Sequence, residues 1–215
     1  MTTVLNGCSF GLNWHPFPGV NLSKDGGSIY RSIRTTVEYV AAYGPVDWVL
    51  IPLTFVNRFE ISRINEENDP IEGSYVIDGE FDYNKINAQI SDTCYKEWDY
   101  AFLNIALFAG WLDNQGIKYL IWDQCNNFNP DMIRGFPGIE KQKFVRENKR
   151  VIPILNFCAN QYMYENGGEW FEHDSDKEPY QRHYKPEAFA FVKEYLDKYA
   201  KDVLNETIDW KSNDE

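Results

Sequence analysis

The sequence predicts an α/β fold, a three-layer α/β/α sandwich with a mostly parallel sheet, and three observations point there. Near-continuous apolar runs at 48–53, 118–122 and 151–155 suit strands buried on both faces. Stripes of apolar residues at helical spacing alternate with those runs, as in chains whose helices cover a parallel sheet. The 215 residues carry no internal repeat and no low-complexity linker, which suits one domain over 1–205 with an acidic tail at 206–215.

The elements follow in order. Thr3 to Asn6 is a short β-branched and apolar run ended by Gly7, a first strand. A turn-rich stretch from Gly11 to Gly27 leads to Ile29, Ile33, Val37 and Val40, one face of a helix. Ser28 or Asp25 can cap its start, and Gly44-Pro45 stops it. Trp48 to Leu53 is the next strand and should be at its end by Pro52, which cannot donate to a ladder. A long excursion at 59–92 follows, with a hairpin at Tyr75 to Ile77 and Gly79. Tyr95, Trp98, Phe102, Ile105, Ala109 and Leu112 mark a second helix, and Leu103, Leu107 and Trp111 widen its stripe, so it should be largely buried. Gly116 caps it, and a strand at Ile117 to Trp122 follows. A second excursion at 124–150 precedes the strand at 151–155. Pro186 opens the last helix, with Phe189, Val192, Leu196, Tyr199 and Val203 on one face. From Asn205 onward the chain should fray.

Composition excludes several functions. Lys and Arg total 21 against 33 Asp and Glu, a net charge of −12, so no nucleic acid partner is expected. No apolar run is long enough to span a membrane. The opening Met1 to Gly7 lacks the basic and apolar regions of a secretory signal, so a cytoplasmic location in the producing cell is expected. Cys8, Cys94, Cys125 and Cys158 are widely spaced, which favours reduced thiols over a zinc site or redox pair.

In a parallel sheet, ligands bind at the carboxyl ends of the strands. That rule gathers Gly7 to Phe10, Thr54 to Glu60, Asp123 to Asn126 and Asn156. Ser9 is well placed there for a nucleophile; the alternative is that it merely caps a short helix.

Asn6-Gly7-Cys8-Ser9-Phe10-Gly11, directly after an N-terminal strand, resembles the first block of the SGNH (GDSL-type) hydrolases, in the Gly-Cys-Ser-Phe form of phage-encoded members. Gly26-Gly27-Ser28 resembles the second block, whose glycine N–H helps hold an oxyanion. A tight turn with positive φ is the structural reading of the same glycine. Thr54 with Asn57, Arg58 and Glu60 resembles the third block, although the usual Gly-x-Asn-Asp is missing. Phage-type members carry Thr or Ser and then Arg-x-Glu in this place. His183, three residues before Pro186, resembles the histidine of Asp-x-x-His-Pro, with Tyr180 in the place of the aspartate and Tyr184 in that of the proline.

The resemblance implies a flavodoxin-like, SGNH-type sandwich and a serine esterase without cofactor or metal. Ser9 would be the nucleophile and His183 the base, with Ser9, Gly27 and Asn57 as oxyanion donors. Thr54, Arg58 and Glu60 would lie near the substrate. The acid that orients His183 stays open between Asp174, Asp176 and Glu178, with Asp176 favoured and a dyad as the alternative. His173 is the rival histidine, and His15 a rim or structural residue. The substrate expected is an ester, in particular an acetylated glycan of a host surface. Trp14, Phe17, Phe128, Phe136, Tyr162, Tyr164, Trp170 and Phe171 are candidates to stack on its sugar rings. A different class competes with the enzyme: a catalytically silent domain of the same fold, used for binding or virion architecture. The sequence sets no oligomeric state.

Overall fold

The apolar runs that alternate with helical stripes become neighbouring strands. The computed structural model describes residues 2–15, 17–25, 27–54, 63–64, 70–71, 94–125, 143–152 and 157–210. Strands β1 (Thr3–Leu5), β2 (Val20–Asn21), β3 (Trp48–Leu53) and, after the excursion, β6 (Lys118–Asp123) form a parallel sheet in the order β2-β1-β3-β6. A separate antiparallel ladder joins β4 (Arg63–Ile64) to β5 (Pro70–Ile71). The hairpin expected at 75–79 lies outside the described residues. β1 pairs with β3 from Thr3↔Trp48 to Leu5↔Leu50, and β3 pairs with β6 from Trp48↔Lys118 to Leu53↔Asp123. Beyond β6 the chain pairs again in parallel, at Ile121↔Val151 and Asp123↔Cys158. Of the strand expected at 151–155, Val151 makes an isolated bridge, and 153–156 lie outside the described residues.

Period-two alternation sends each strand's side chains into two separate cores. Val49, Ile51, Leu53, Tyr119 and Ile121 join residues of α2 (Ile29–Tyr43), α3 (Cys94–Gln115) and α4 (Lys143–Glu147). Trp48, Leu50, Leu120 and Trp122 face the other way, toward α5 (Ala159–Glu165) and α6 (Phe189–Tyr199). The result is a four-stranded parallel sheet between two helical layers. Continuous apolar runs were needed because both faces of these strands are covered. The Ser28 hydroxyl caps α2 by accepting the Arg31 N–H at 3.0 Å, and Gly44 ends it at φ 90°. No described helix is long and apolar enough to cross a membrane.

Three expectations are corrected. Leu103 and Leu107 are exposed, so of the three residues expected to widen the α3 stripe only Trp111 packs against the core. Val203 is also exposed, because α6 gives way to a π-helical turn at Ala200–Leu204 that breaks the 3.6-residue period. The stretch after Asn205 is packed as far as Trp210. Ile208 is buried, Glu206 makes a two-pronged pair with Arg150 at 2.8 and 2.9 Å, and the Thr3 hydroxyl donates to the Asp209 carbonyl. The Trp210 ring lies 5.6 Å from Trp14 and donates its N–H to Asp197 at 2.7 Å. Trp210→Ala should therefore cost about 2–3 kcal/mol, read as a lower urea midpoint at unchanged m. An unchanged midpoint would mean that this end contributes nothing to the core.

Candidate active site

Ser9 is fixed from both sides of β1. The preceding Asn6 is fully buried and its amide donates into α2, to the Ser32 carbonyl at 2.8 Å and the Thr36 hydroxyl at 2.9 Å. Cys8 stays extended (φ −98°, ψ −157°) as the N-cap of α1 (Ser9–Leu12). Ser9 thus opens a short helix, but the cap position belongs to Cys8. The Ser9 hydroxyl lies 3.0 Å from His183 Nε2 instead. The Phe10 ring stacks on the imidazole, with centroids 4.6 Å apart and planes at 17°.

His183 sits at the end of a closed loop. Trp170 and Tyr184 form an antiparallel bridge at its neck, and the Phe171 N–H donates to the His183 carbonyl at 3.0 Å. Within the loop, a 3-10 turn at Glu172–Asp174 brings Asp174 back over the histidine. Asp174 Oδ2 accepts the His183 backbone N–H at 2.6 Å and lies 2.7 Å from Nδ1. With a carboxylate on Nδ1, the ring proton belongs there, and the Nε2 lone pair faces the Ser9 hydroxyl. Asp174 Oδ1 takes the Lys177 ammonium at 2.5 Å. Burial works to raise the Asp174 carboxyl, but Lys177 and the two His183 contacts outweigh it and hold it down at about 2. Arg182 closes the loop from outside: its guanidinium lies 4.1 Å over Trp170 and donates to the Lys177 carbonyl at 2.8 Å.

A buried amide relay ties this loop to the sheet. Trp122 Nε1 donates to Gln124 Oε1 at 3.0 Å, and Gln124 Nε2 donates to Asn160 Oδ1 at 2.6 Å. Asn160 Nδ2 reaches the carbonyls of Tyr180 and Arg182 at 2.9 and 3.1 Å. Gln124 falls in the stretch that the sheet-edge rule gathers, but Asn160 and Arg182 do not stand out in the sequence, because they act on main-chain carbonyls that no motif encodes.

The other expected residues divide sharply. Asp176, favoured from sequence as the orienting acid, is exposed, and the carboxylate that lies against His183 is that of Asp174, because the 3-10 turn reverses the chain two residues earlier. Gly27 is placed against the Ser9 turn, where a Cβ would meet the Gly7 carbonyl at 3.0 Å. Its own N–H, however, donates to the Lys24 carbonyl at 3.0 Å, so it is not aimed at a substrate oxygen. Its role is close approach and not positive φ, which Gly27 does not have. Thr54 is buried at the end of β3. Asn57, Arg58 and Glu60 lie outside the described residues.

His173 is mostly exposed (70%) and its Nε2 is 3.7 Å from Asp174 Oδ1. His173, Asp174 and His183 present nitrogen and oxygen atoms within 4.8 Å of one another, but the Lys177 ammonium already holds the cationic position on Asp174. His15 is exposed beyond α1. Trp14 belongs to the core with Phe17, Phe189 and Trp210, and Tyr162 packs on Phe157, so these rings are structural. Tyr164 and Trp170 carry Arg182, and Phe171 stacks on His173. Phe128 and Phe136 lie outside the described residues. Cys8, Cys125 and Cys158 are not in disulfides, and burial, reinforced by Cys8, pushes the Cys125 thiol well above its usual range.

No family model matches the sequence, and no curated protein does so at a significant level. Among solved structures, one from Bacteroides fragilis described as a "putative acylhydrolase" aligns over 94% of this chain and 88% of its own, at 11% identity and a TM-score of 0.45. So distant a likeness leaves the functional argument to the residues themselves.

Proposed function

We propose that the chain is a serine-dependent esterase of the SGNH (GDSL) type, with Ser9 as nucleophile, His183 as base and Asp174 as the orienting acid. One observation carries this reading: a continuous hydrogen-bonded chain from Ser9 Oγ through both ring nitrogens of His183 to a buried carboxylate. The strand order also suits a flavodoxin-like sheet, whose ligands bind at the carboxyl edge where Ser9 lies.

Ser9 Oγ attacks the ester carbonyl while His183 Nε2 takes its proton. Collapse of the tetrahedral intermediate expels the alcohol, which receives that proton and leaves Ser9 acylated. Water, deprotonated by the same nitrogen, then releases the acid and restores the serine. Asp174 keeps the ring in the required tautomer and stabilises the imidazolium. The Ser9 N–H at the start of α1 is one oxyanion donor, and Asn57 is proposed as a second. Acetyl esters of glycans remain the proposed substrate class, which the rim formed by Phe171 and His173 would meet first.

The test is covalent. A fluorophosphonate probe should label the wild type stoichiometrically, and neither Ser9→Ala nor His183→Ala should be labelled above background. Failure of the wild type to label, together with no acetyl release from polysaccharide, would turn the reading to a catalytically silent domain.

A further inference from the structure

We propose that Lys177 is a positioning residue of this site: its ammonium holds the second oxygen of Asp174 and thereby sets how readily His183 accepts a proton. The inference rests on the serine-esterase reading above. Asp174 is fully buried, and His183 uses only its Oδ2. Asp174 Oδ1 is buried and accepts no well-aligned hydrogen bond, so the charge that compensates it is the Lys177 ammonium, an ion pair at 2.5 Å.

The lysine is not a chance surface neighbour. Its N–H closes a turn on the Asp174 carbonyl at 3.1 Å, and its carbonyl is clamped by Arg182 at 2.8 Å. Both ends of the residue are therefore fixed, and the side chain is turned back over Asp174. The side chain stays 42% exposed while its ammonium reaches Asp174.

The electrostatic consequence has a definite sign. Asp174 favours the imidazolium, whereas a cation on its other oxygen opposes that field. Among the described residues, the charged or titratable groups facing this pair are Lys177, His173 on the same loop and Ser9 from α1. His173 approaches the same Oδ1 at 3.7 Å, with its ring 6.4 Å from that of His183. Arg182 is turned onto Trp170 and Tyr164, and uncharged Phe10 covers the ring face. His173 is thus the competing origin of any pH effect, and His173→Gln is its control.

The experiment compares pH profiles of kcat/KM toward p-nitrophenyl acetate for wild type, Lys177→Met, Lys177→Gln, Lys177→Arg and His173→Gln. The two neutral variants should move the acid limb up by about half to one pH unit. Their kcat should fall about three- to tenfold at unchanged KM. Lys177→Arg should restore the wild-type limb, and His173→Gln should leave it in place. In parallel, the His183 ring-proton resonance is titrated in Ser9→Ala with and without Lys177→Met, where the midpoint should rise by the same amount. An acid limb and a ring midpoint that stay put in the neutral variants would overturn the proposal, whatever happens to the rate. If the wild type itself does not turn over this ester, the probe and polysaccharide tests above decide the esterase reading, while the ring titration still decides whether Lys177 governs His183.

Discussion

Ser9→Ala should lower kcat toward a reactive acetyl ester by about 10⁴- to 10⁶-fold, and Ser9→Ala/His183→Ala should be no worse than either single change. Groups that act as one unit lose nearly everything at the first deletion, leaving only what binding and oxyanion donors supply. The fold should be untouched. Ser9 makes one side-chain hydrogen bond across the site, to His183, while Asn6 and the Cys8 cap hold the turn from outside it. Residual activity within tenfold of wild type, measured on material freed of contaminating esterases, would remove Ser9 from the nucleophile role.

The second large effect falls on Asp174. Asp174→Asn should cost roughly 10³- to 10⁴-fold in kcat, because an amide at Nδ1 can stabilise the wrong tautomer. Asp176→Asn should stay within about twofold of wild type, since its side chain is exposed. Equal losses in both variants would point to general damage to the loop and not to an orienting acid. The same carboxylate gives a pH signature in stability. Its folded value of about 2 lies below the usual carboxylate range, so its contribution is present above about pH 4 and fades as pH falls toward 2. Lys177 is 42% exposed and partly screened, so the contribution is on the order of 1–2 kcal/mol. Acid titration of stability should accordingly be shallower in Asp174→Asn over that interval.

The sheet was legible because burial on both faces leaves long apolar runs, and Trp48–Leu53 and Lys118–Asp123 are such runs. β2 was not, since two residues in a turn-rich stretch join by main-chain pairing alone, at Val4↔Val20 and Leu5↔Asn21. Ser9 was legible as the residue after a first strand, and His183 as the histidine before the last helix. Which acid faces His183 was not, because Asp174, Asp176 and Glu178 differ only in where a 3-10 turn reverses the chain. Gly27 shows the opposite limit. Its place beside the Ser9 turn was readable, but the destination of its N–H depends on the Lys24 carbonyl, which no pattern of side chains announces. Val203 was misread for a similar reason, as periodicity cannot foresee a π turn.

The relay from Trp122 through Gln124 and Asn160 to the carbonyls of Tyr180 and Arg182 makes His183 mechanically a part of the sheet. Shifting the main chain that carries His183 would require breaking those amide hydrogen bonds, of which the Trp122–Gln124–Asn160 part is buried. That stretch of main chain is therefore ordered once, when the domain folds, and in the proposed esterase a substrate would meet a base whose backbone already stands in position. In the proposed esterase, turnover should accordingly be timed by chemistry or by the departure of product and not by a hinge of the main chain at the histidine.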